Sequence, residues 1–420
     1  MAGPFFCWGN VNQLFNGKER DAIGNIQKYA YGSMVVFAFF SAISIAGVNI
    51  ALGVAALFVV GGIYRKEIQA LCIDKTIARA CLVFLLAVLI SAIGALQPWA
   101  AVERALNYFF RMLPFFFVPL ICQEKKQLWM LLGVGALSLM IADVYALWQG
   151  IHGNLRAPAF HSHPMMLAGI LVQWIPALTL VTAVEWGKQL PIKPTWRWTV
   201  GLLWLLSLIA LIVNGTRGAW LAVFFLLLLL GATLLRKHKK ILVLGSLALV
   251  LLVGAAGQHS GLQERVNTLG DASFQSNSER LLMWQSAWNM FLDHPVTGVG
   301  AQNYEYQYQN HYISPLAKER GQMHAHSNVF QMLAEQGLIG LGAFCLLFGV
   351  ILKRGWQGMR RGSFWGYMLF FSTLGLLLQG LTEFNFGNAA VIRLYWLFVG
   401  VAAAGLQWDL KESKRVNLVK

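Results

Sequence analysis

Charged residues are scarce in this sequence, and acidic residues are the scarcest. Only 12% of the 420 residues are charged, with 18 acidic side chains against 33 basic ones, whereas 57% are hydrophobic. This balance excludes an ordinary soluble domain. The basic residues lie in short clusters between apolar runs, which is typical of membrane topology and not of nucleic-acid binding. We therefore expect a membrane protein with no nucleic-acid partner.

A cleavable signal peptide is also missing from the first 17 residues, so the membrane spans themselves are expected to direct insertion. Apolar runs of the roughly 20 residues that a helix needs to cross a bilayer recur along the chain. They predict an all-α polytopic membrane protein with about 12 transmembrane helices. The predicted spans are Tyr29–Ala46, Asn49–Tyr64, Ile77–Leu96, Leu106–Ile121, Leu128–Trp148, Met165–Val184, Trp198–Val213, Ala219–Leu235, Ile241–Ala256, Asn328–Leu352, Phe364–Leu381 and Ala389–Trp408.

The basic residues predict which loops face the cytoplasm. One alternating set of loops and span ends, which includes both termini, holds 24 of the 33 Lys and Arg residues, and the other set holds nine. The positive-inside rule therefore places both termini in the cytoplasm. All five cysteines fall in the cytoplasmic set or inside spans, so no disulfide framework is expected on the outer face.

The one long connection between spans is predicted to face outward. The chain therefore divides into spans one to nine (residues 1–256), an outer loop domain (257–325), spans ten to twelve (326–408) and a cytoplasmic tail (409–420). Within the loop, Asn277–His294 has the apolar spacing of a helix, with Ser278 as its cap and Pro295 as its end. An amphipathic helix with two tryptophans is expected to lie at the membrane surface. Tyr304 follows, in a tyrosine-rich stretch that could stack on sugars or form an interfacial belt.

Arginine dominates the basic residues of the outer set. Eight of those nine residues are arginines, and the positive-inside rule does not distinguish arginine from lysine. A planar guanidinium suits bidentate phosphate recognition. Arg217 is the sharpest case, because it lies in a very short outer turn with glycines on both sides. The alternative is an interfacial arginine that snorkels and bonds nearby carbonyls.

Histidines mark the outer end of the tenth span. His324 and His326 precede the span that starts at Asn328. The positive end of the helix dipole favours neutral imidazole there, which suits a general base. The alternative is a histidine that bonds a headgroup or a loop carbonyl, and the spacing does not choose between the two.

A metal site is a further alternative for the outer histidines. His324-x-His326 and His161-x-His163 both face outward, and histidine is a common metal ligand. The predicted outer face has few of the closely spaced carboxylates that hard cations prefer. We therefore expect no metal or other cofactor.

Other ionisable residues lie inside or beside predicted spans. Arg111 and Asp143 could pair with each other or with neighbouring charges. Glu383 and Arg393 border the last outer loop and could orient a sugar or pair with each other.

These motifs together resemble the O-antigen ligase family. His326-Ser327, nine residues, Gly337, two residues and Gly340 fit the family pattern of His, then Asn, Ser or Gln, nine residues, Gly, two residues, and Gly, Thr or Tyr. The long outer loop also looks like that of the superfamily, in the stretches Ser278-Glu279-Arg280 to Trp284, His294-Pro295 and Gly298-Val299-Gly300. The architecture is similar over most of the chain, and the motifs cover about a quarter of it.

The resemblance implies a glycosyltransferase of the GT-C type in the inner membrane of a Gram-negative bacterium, with its active site on the periplasmic face. It would join O-antigen carried by undecaprenyl diphosphate to the lipid A-core oligosaccharide, with inversion and without a metal. Carried over to this chain, the family histidine corresponds to His326 and its two arginines to Arg217 and Arg280, with Arg265 as an additional candidate. The further substrate-binding candidates are Arg265, His324, Asn328, Tyr304 and Glu383.

Other functions remain possible on the sequence alone. An O-antigen polymerase or a protein O-oligosaccharyltransferase of the same superfamily uses the same donor and similar residues. From a different class, a lipid-linked sugar flippase or another transporter would be expected to show broken spans with polar groups at the midplane. Here the ionisable residues collect at the outer span ends, which favours chemistry at the membrane surface.

Overall fold

The computed structural model describes residues 17–68, 73–183, 190, 194–234, 263, 267–268, 271 and 273–419. Its regular structure is helical throughout these residues. We number the helices α1 Gly17–Phe40, α2 Ile45–Tyr64, α3 Lys75–Ile90, α4 Pro98–Ile121, α5 Lys125–Ile151, α6 Pro164–Ala183, α7 Pro194–Asn214, α8 Arg217–Leu234, α9 Gln275–Asp293, α10 Tyr304–Gln307, α11 Asn328–Arg360, α12 Phe364–Gln379 and α13 Ala389–Val419.

The prediction of an all-α polytopic membrane protein is confirmed. Seven described helices are long and apolar enough to cross a membrane, and α12 is a shorter apolar helix. The predicted span Ile241–Ala256 lies outside the described residues, and each of the other predicted spans overlaps a described helix. Most residues of α6 and α13 are buried, which places these helices at the centre of the bundle, whereas a third or fewer of the residues in the apolar stretches of α2, α7 and α8 are buried.

Two predicted helix boundaries differ from the structure. The break between the first two spans was placed around Gly47, but it lies at residues 41–44, where the Ser44 hydroxyl caps α2 by accepting a hydrogen bond from Gly47 N at 3.1 Å. The loop helix was expected to start at Asn277 with Ser278 as its cap. It starts at Gln275 after Phe274 and has no side-chain cap bond.

The loops between successive helices lie alternately at the two ends of the bundle, as the sequence predicts. We call one of them the long-loop end, because residues 273–327 lie there together with the connections after α3, α5, α7 and α12. Contacts between these connections show the grouping: Gln97 N donates to Asn303 Oδ1 at 3.0 Å, and Asn328 N donates to Gly380 O at 2.7 Å. At the opposite end Lys125 pairs with Asp409 at 2.9 Å.

Helix α11 contains a kink that shapes the long-loop end. Gly337 has φ 59° and ψ −153°, a conformation open to glycine and strained for other residues. The freed amide of Leu338 donates to Pro295 O at 2.9 Å, so the turn after α9 docks into the kink. A Cβ on Gly337 would lie 2.5 Å from the carbonyl carbon of Val296, which explains why the motif requires glycine there.

Candidate active site

A cavity of about 410 Å³ opens at the long-loop end, beside the starts of α8 and α9. Its walls include Arg156, Arg217, Arg280, His326 and Glu383, which come from five separate stretches of the chain. Four of these five residues are site candidates from the sequence. A volume of this size suits a small-molecule ligand or one terminal group of a larger ligand.

His326 lies directly before the capping residue of α11, in a left-handed conformation with φ 47°. Such a conformation is uncommon for a residue other than glycine and needs support from its surroundings. The neighbouring peptide supplies that support: Ala325 N donates to Gln331 Oε1 at 2.7 Å, and Trp284 Nε1 donates to Ala325 O at 2.9 Å. The backbone thus fixes where the His326 ring points.

Both ring nitrogens of His326 have partners. Nδ1 lies 3.1 Å from Glu383 Oε2, and Nε2 lies 3.3 Å from Gln322 Oε1. Nδ1–H donates to the carboxylate, and the base form needs a lone pair on Nε2, which Gln322 accommodates when its amide nitrogen, in place of Oε1, faces the ring. This histidine–carboxylate arrangement is the one that orients an imidazole base and stabilises it once it is protonated.

Glu383 is suited to remain ionised beside His326. Burial raises the pKa of this carboxyl, but the hydrogen bond and charge of His326, with further charge from His324 and Arg280, outweigh burial and hold the pKa below its ordinary value. An ionised carboxylate therefore faces the imidazole at neutral pH.

His324 packs against His326 with 4.3 Å between ring centroids. Burial, with a smaller contribution from the charge of His326, lowers the pKa of His324 to about 4. His324 is therefore neutral at physiological pH. His324 does not line the cavity and contacts His326 from the side away from it.

Arg217 is the first residue of α8 and is heavily hydrogen-bonded. Its Nη1 donates to the carbonyl and the hydroxyl of Thr268 at 2.8 and 2.9 Å, and its Nη2 donates to Ser276 Oγ and Asn277 Oδ1 at 2.7 and 2.8 Å. The guanidinium also lies 5.0 Å from the centroid of the Phe274 ring. Arg217 thus fastens the segment before α9 to α8 while it lines the cavity.

Arg280 differs from Arg217, because it makes no hydrogen bond or ion pair with any residue that the structure describes. It lines the cavity within electrostatic reach of Glu383 and Arg156. Burial, reinforced by the charge of Arg156, lowers its pKa, and the charge of Glu383 opposes that shift. Arg280 therefore offers its guanidinium donors to a ligand.

Three other candidates do not reach the cavity or cannot be placed. Asn328 is 2% exposed, and its amide donates to Asn385 Oδ1 at 2.8 Å, which holds the last loop against α11. Tyr304 is fully buried and stacks on Tyr308 with 5.7 Å between centroids. Both are packing residues at positions where substrate contact was expected. Arg265 lies outside the described residues.

The structure decides against two pairings that the sequence left open. Arg111 does not pair with Asp143, because Arg111 Nη1 donates to Gly387 O at 2.8 Å and Asp143 accepts from the Ser207 hydroxyl. Glu383 pairs with His326 and not with Arg393.

His324, His326 and Glu383 each offer one ligand atom, and these atoms lie within 4.8 Å of one another. Two imidazoles and a carboxylate form a donor set that a zinc-like ion accepts. No metal was expected from the sequence, because the predicted outer face has few closely spaced carboxylates. The carboxylate of this group, Glu383, is 57 residues away from His326 in the chain.

Arg156 and Gln322 are among the cavity residues that the sequence did not single out. Arg156 belongs to the outer arginines but stands in no motif, and Gln322 is an ordinary polar residue of the long loop. The excess of arginine in the outer set is the signal that could have singled out Arg156.

The comparisons with known proteins give one result. None of the curated proteins compared matches the chain. Residues 202–345 match a protein-family model described as O-antigen ligase. The matched residues run from α7 into α11 and include the cavity residues Arg217, Arg280 and His326. Over these residues the chain is similar to the O-antigen ligase family, and the resemblance predicted from its motifs is confirmed.

Proposed function

We propose that this protein is an O-antigen ligase that transfers O-antigen polysaccharide from undecaprenyl diphosphate to a sugar hydroxyl of the lipid A-core oligosaccharide. The family domain implies a glycosyltransferase-like enzyme of O-antigen processing. The proposal places a multi-pass GT-C-type enzyme in the inner membrane of a Gram-negative bacterium, with both termini in the cytoplasm and the long-loop end in the periplasm. The observation that carries it is the cavity in which a histidine–carboxylate pair faces arginines.

In this mechanism the cavity arginines receive the donor diphosphate. The bond between the anomeric carbon and the diphosphate oxygen breaks, and the leaving group takes the electron pair and becomes more negative. Arg280, whose donors have no partner among the described residues, and Arg217 stabilise that charge. Each is expected to contribute roughly 10²–10³ in rate, as single oxyanion-hole donors do. Arg156 adds positive charge to the same wall.

His326 acts as the general base for the acceptor. Its Nε2 takes the proton of a core-sugar hydroxyl as the oxygen attacks the anomeric carbon from the face opposite the diphosphate, so the product has inverted configuration. Glu383, 3.1 Å from Nδ1, holds the ring and stabilises the imidazolium that forms. A base of this kind contributes roughly 10²–10⁴ in rate. The mechanism requires no metal, since the arginines supply the positive charge.

The deciding experiment uses purified protein in detergent with undecaprenyl-diphosphate-linked O-antigen and rough lipopolysaccharide in the presence of EDTA. We expect high-molecular-weight lipopolysaccharide from the native chain and loss of transfer in His326→Ala and Arg280→Ala. Arg320→Ala is the matched control, because Arg320 is an exposed arginine of the same loop outside the cavity.

Each other outcome contradicts the proposal in a specific way. Elongation of the donor without transfer to lipopolysaccharide would identify a polymerase. Transfer that EDTA abolishes and a divalent ion restores would assign His324, His326 and Glu383 to a metal centre.

A further inference from the structure

A second group of arginines lies at the long-loop end, outside the cavity. Arg104 and Arg111 belong to α4, and Arg393 belongs to α13, the helix that packs most closely against α4. None of the three lines the cavity. We call them the α4–α13 arginine group.

Several polar atoms of this group are buried without partners among the described residues, although Arg111 Nη1 donates to Gly387 O at 2.8 Å. Arg393 is 7% exposed, and its Nε and Nη1 atoms have no hydrogen-bond partner among the described residues. The Nε atoms of Arg104 and Arg111 are also buried and without a partner there. Burying a permanent charge without a hydrogen bond is costly, above all in a membrane protein. The arrangement therefore requires a compensating anion.

The described protein groups compensate these charges only in part. The guanidinium carbons of Arg104 and Arg111 lie 5.8 and 5.9 Å from the centroid of the Tyr108 ring, and such cation–π contacts offset only part of the cost of burying the charges. Arg393 has a similar contact with Phe110 at 5.7 Å. The buried carboxylate of Glu335 acts electrostatically on Arg104, and no described carboxylate forms an ion pair with any of the three arginines.

The group adjoins the proposed catalytic residues. Arg104 is within electrostatic reach of His324, whose ring contacts that of His326. The loop after α12 connects the two places: Glu383 faces the cavity, and three residues later Phe386 lies 5.0 Å from the Tyr108 ring. A ligand held by the arginine group would therefore lie beside the base while the donor occupies the cavity.

We propose that the α4–α13 arginine group binds a phosphate carried by a lipid, and that, under the proposed function, this lipid is the acceptor. Three guanidinium groups match the several acceptor oxygens of a phosphate. A lipid is favoured over a soluble anion because the group lies between α4 and α13, two helices of the membrane bundle, near their long-loop ends, the depth at which lipid headgroups meet the protein. The phosphate would anchor the acceptor while its sugar reaches His326.

The test measures lipid binding to purified protein in detergent by native mass spectrometry. The probes are bisphosphorylated lipid A, its dephosphorylated form, phosphatidylglycerol and diacylglycerol. We expect lipid A to bind more tightly than its dephosphorylated form. Arg393→Gln and Arg111→Gln should weaken binding of the phosphorylated lipid about tenfold, the effect of losing a charged hydrogen bond, and leave the dephosphorylated lipid unaffected. Arg320→Gln is the control.

Preference for lipid A over phosphatidylglycerol would identify the acceptor as the ligand, and equal binding would identify a general phospholipid headgroup. Either outcome supports a site for a lipid phosphate. Equal affinity for phosphorylated and dephosphorylated lipids, or unchanged affinity in both variants, would overturn the proposal. If Arg393→Gln does not fold, the partly exposed Arg104→Gln replaces it.

This inference rests on the proposed function for the identity of the lipid, but the two fail separately. Binding is measured without turnover. A protein that binds the lipid phosphate but transfers no O-antigen would therefore refute the proposed ligase function and support the phosphate site. An active ligase whose KM for the acceptor is unchanged in Arg393→Gln and Arg111→Gln would refute the proposed acceptor site and support the ligase function.

Discussion

At the scale of single residues, the proposed chemistry depends on the pair formed by His326 and Glu383. The strained backbone of His326 aims the ring, and the carboxylate 3.1 Å from Nδ1 selects which nitrogen carries the proton. Neither feature is visible in the motif, because Glu383 belongs to a different loop.

Replacing Glu383 by Gln should lower kcat for transfer about 10²-fold or more, because the imidazolium loses its stabilising charge and the tautomer is no longer fixed. The measurement is the initial rate of lipopolysaccharide formation at saturating donor. Gln322→Ala is the matched control, since it removes the 3.3 Å contact at Nε2 and leaves the proposed proton acceptor in place. A Glu383→Gln protein as active as the native one would refute the orienting role.

Two buried histidines should make the folded state sensitive to acid. Burial lowers the pKa of both His161 and His324 from the ordinary 6.5 to about 4. Between pH 6.5 and 4 the unfolded chain binds protons that the folded chain does not. The free energy of unfolding should therefore fall as the pH decreases through this window, by up to about 3 kcal/mol for each histidine. Above pH 6.5 the histidines are neutral in both states, and the folded protein keeps its full stability.

Melting temperatures at pH 7, 5.5 and 4.5 check this prediction. His161→Gln and His324→Gln should each remove part of the acid sensitivity. His163→Gln should leave it unchanged, because His163 is exposed. Parallel melting curves for all three variants would contradict it.

At the scale of helices, the break in α11 is the element that joins the outer loop to the bundle. The turn after α9 donates and accepts backbone hydrogen bonds at this break, since Val299 N donates to Ala334 O and Leu338 N donates to Pro295 O, each at 2.9 Å. The position of His326 at the start of the same helix is thereby tied to the loop that carries Arg280.

Gly337→Ala should destabilise the protein by at least about 1–3 kcal/mol, because alanine is strained at φ 59° and its Cβ would meet Val296 at 2.5 Å. Gly342→Ala is the control in the same helix, where a Cβ meets nothing within 4 Å and the helix gains roughly 0.5–1 kcal/mol. Thermal unfolding in detergent measures both. A Gly337→Ala protein as stable as the control would contradict the packing explanation.

The helices could be predicted from the sequence because their length and hydropathy are local properties. The alternation of spans predicted that Arg217, Arg280 and His326 lie at the same end of the bundle, and the family motif gave them roles, but the sequence did not show that they line one cavity. Distant pairings could not be predicted in this way: the four hydrogen bonds of Arg217 join α8 to a segment 51 to 60 residues away. The burial of Tyr304 was likewise hidden, because tyrosine spacing does not show which ring the loop covers.

At the scale of the whole molecule, the bundle separates two chemically different ends. The long-loop end has the cavity, its arginines and the histidines, and the other end has surface ion pairs such as Arg354 with Asp74 at 3.0 Å. The charge bias of the loops predicts that the first end faces outward.

Cysteine labelling tests that orientation. In a cysteine-free background, Lys318→Cys should react with a membrane-impermeant maleimide on spheroplasts, and Lys353→Cys should react only after lysis. Both positions are exposed, so accessibility differs only by the side of the membrane. The reverse pattern would invert the topology and exclude a periplasmic active site.

The size of the cavity has a consequence for the polymer. About 410 Å³ can enclose a diphosphate and the first sugar, while the remaining repeats must extend beyond the protein wall. An enzyme that holds only this terminal unit has no means of counting the repeats behind it. Under the proposed function, short and long chains would therefore be attached at equal rates, and the length distribution of the finished glycolipid would be decided before the donor arrives.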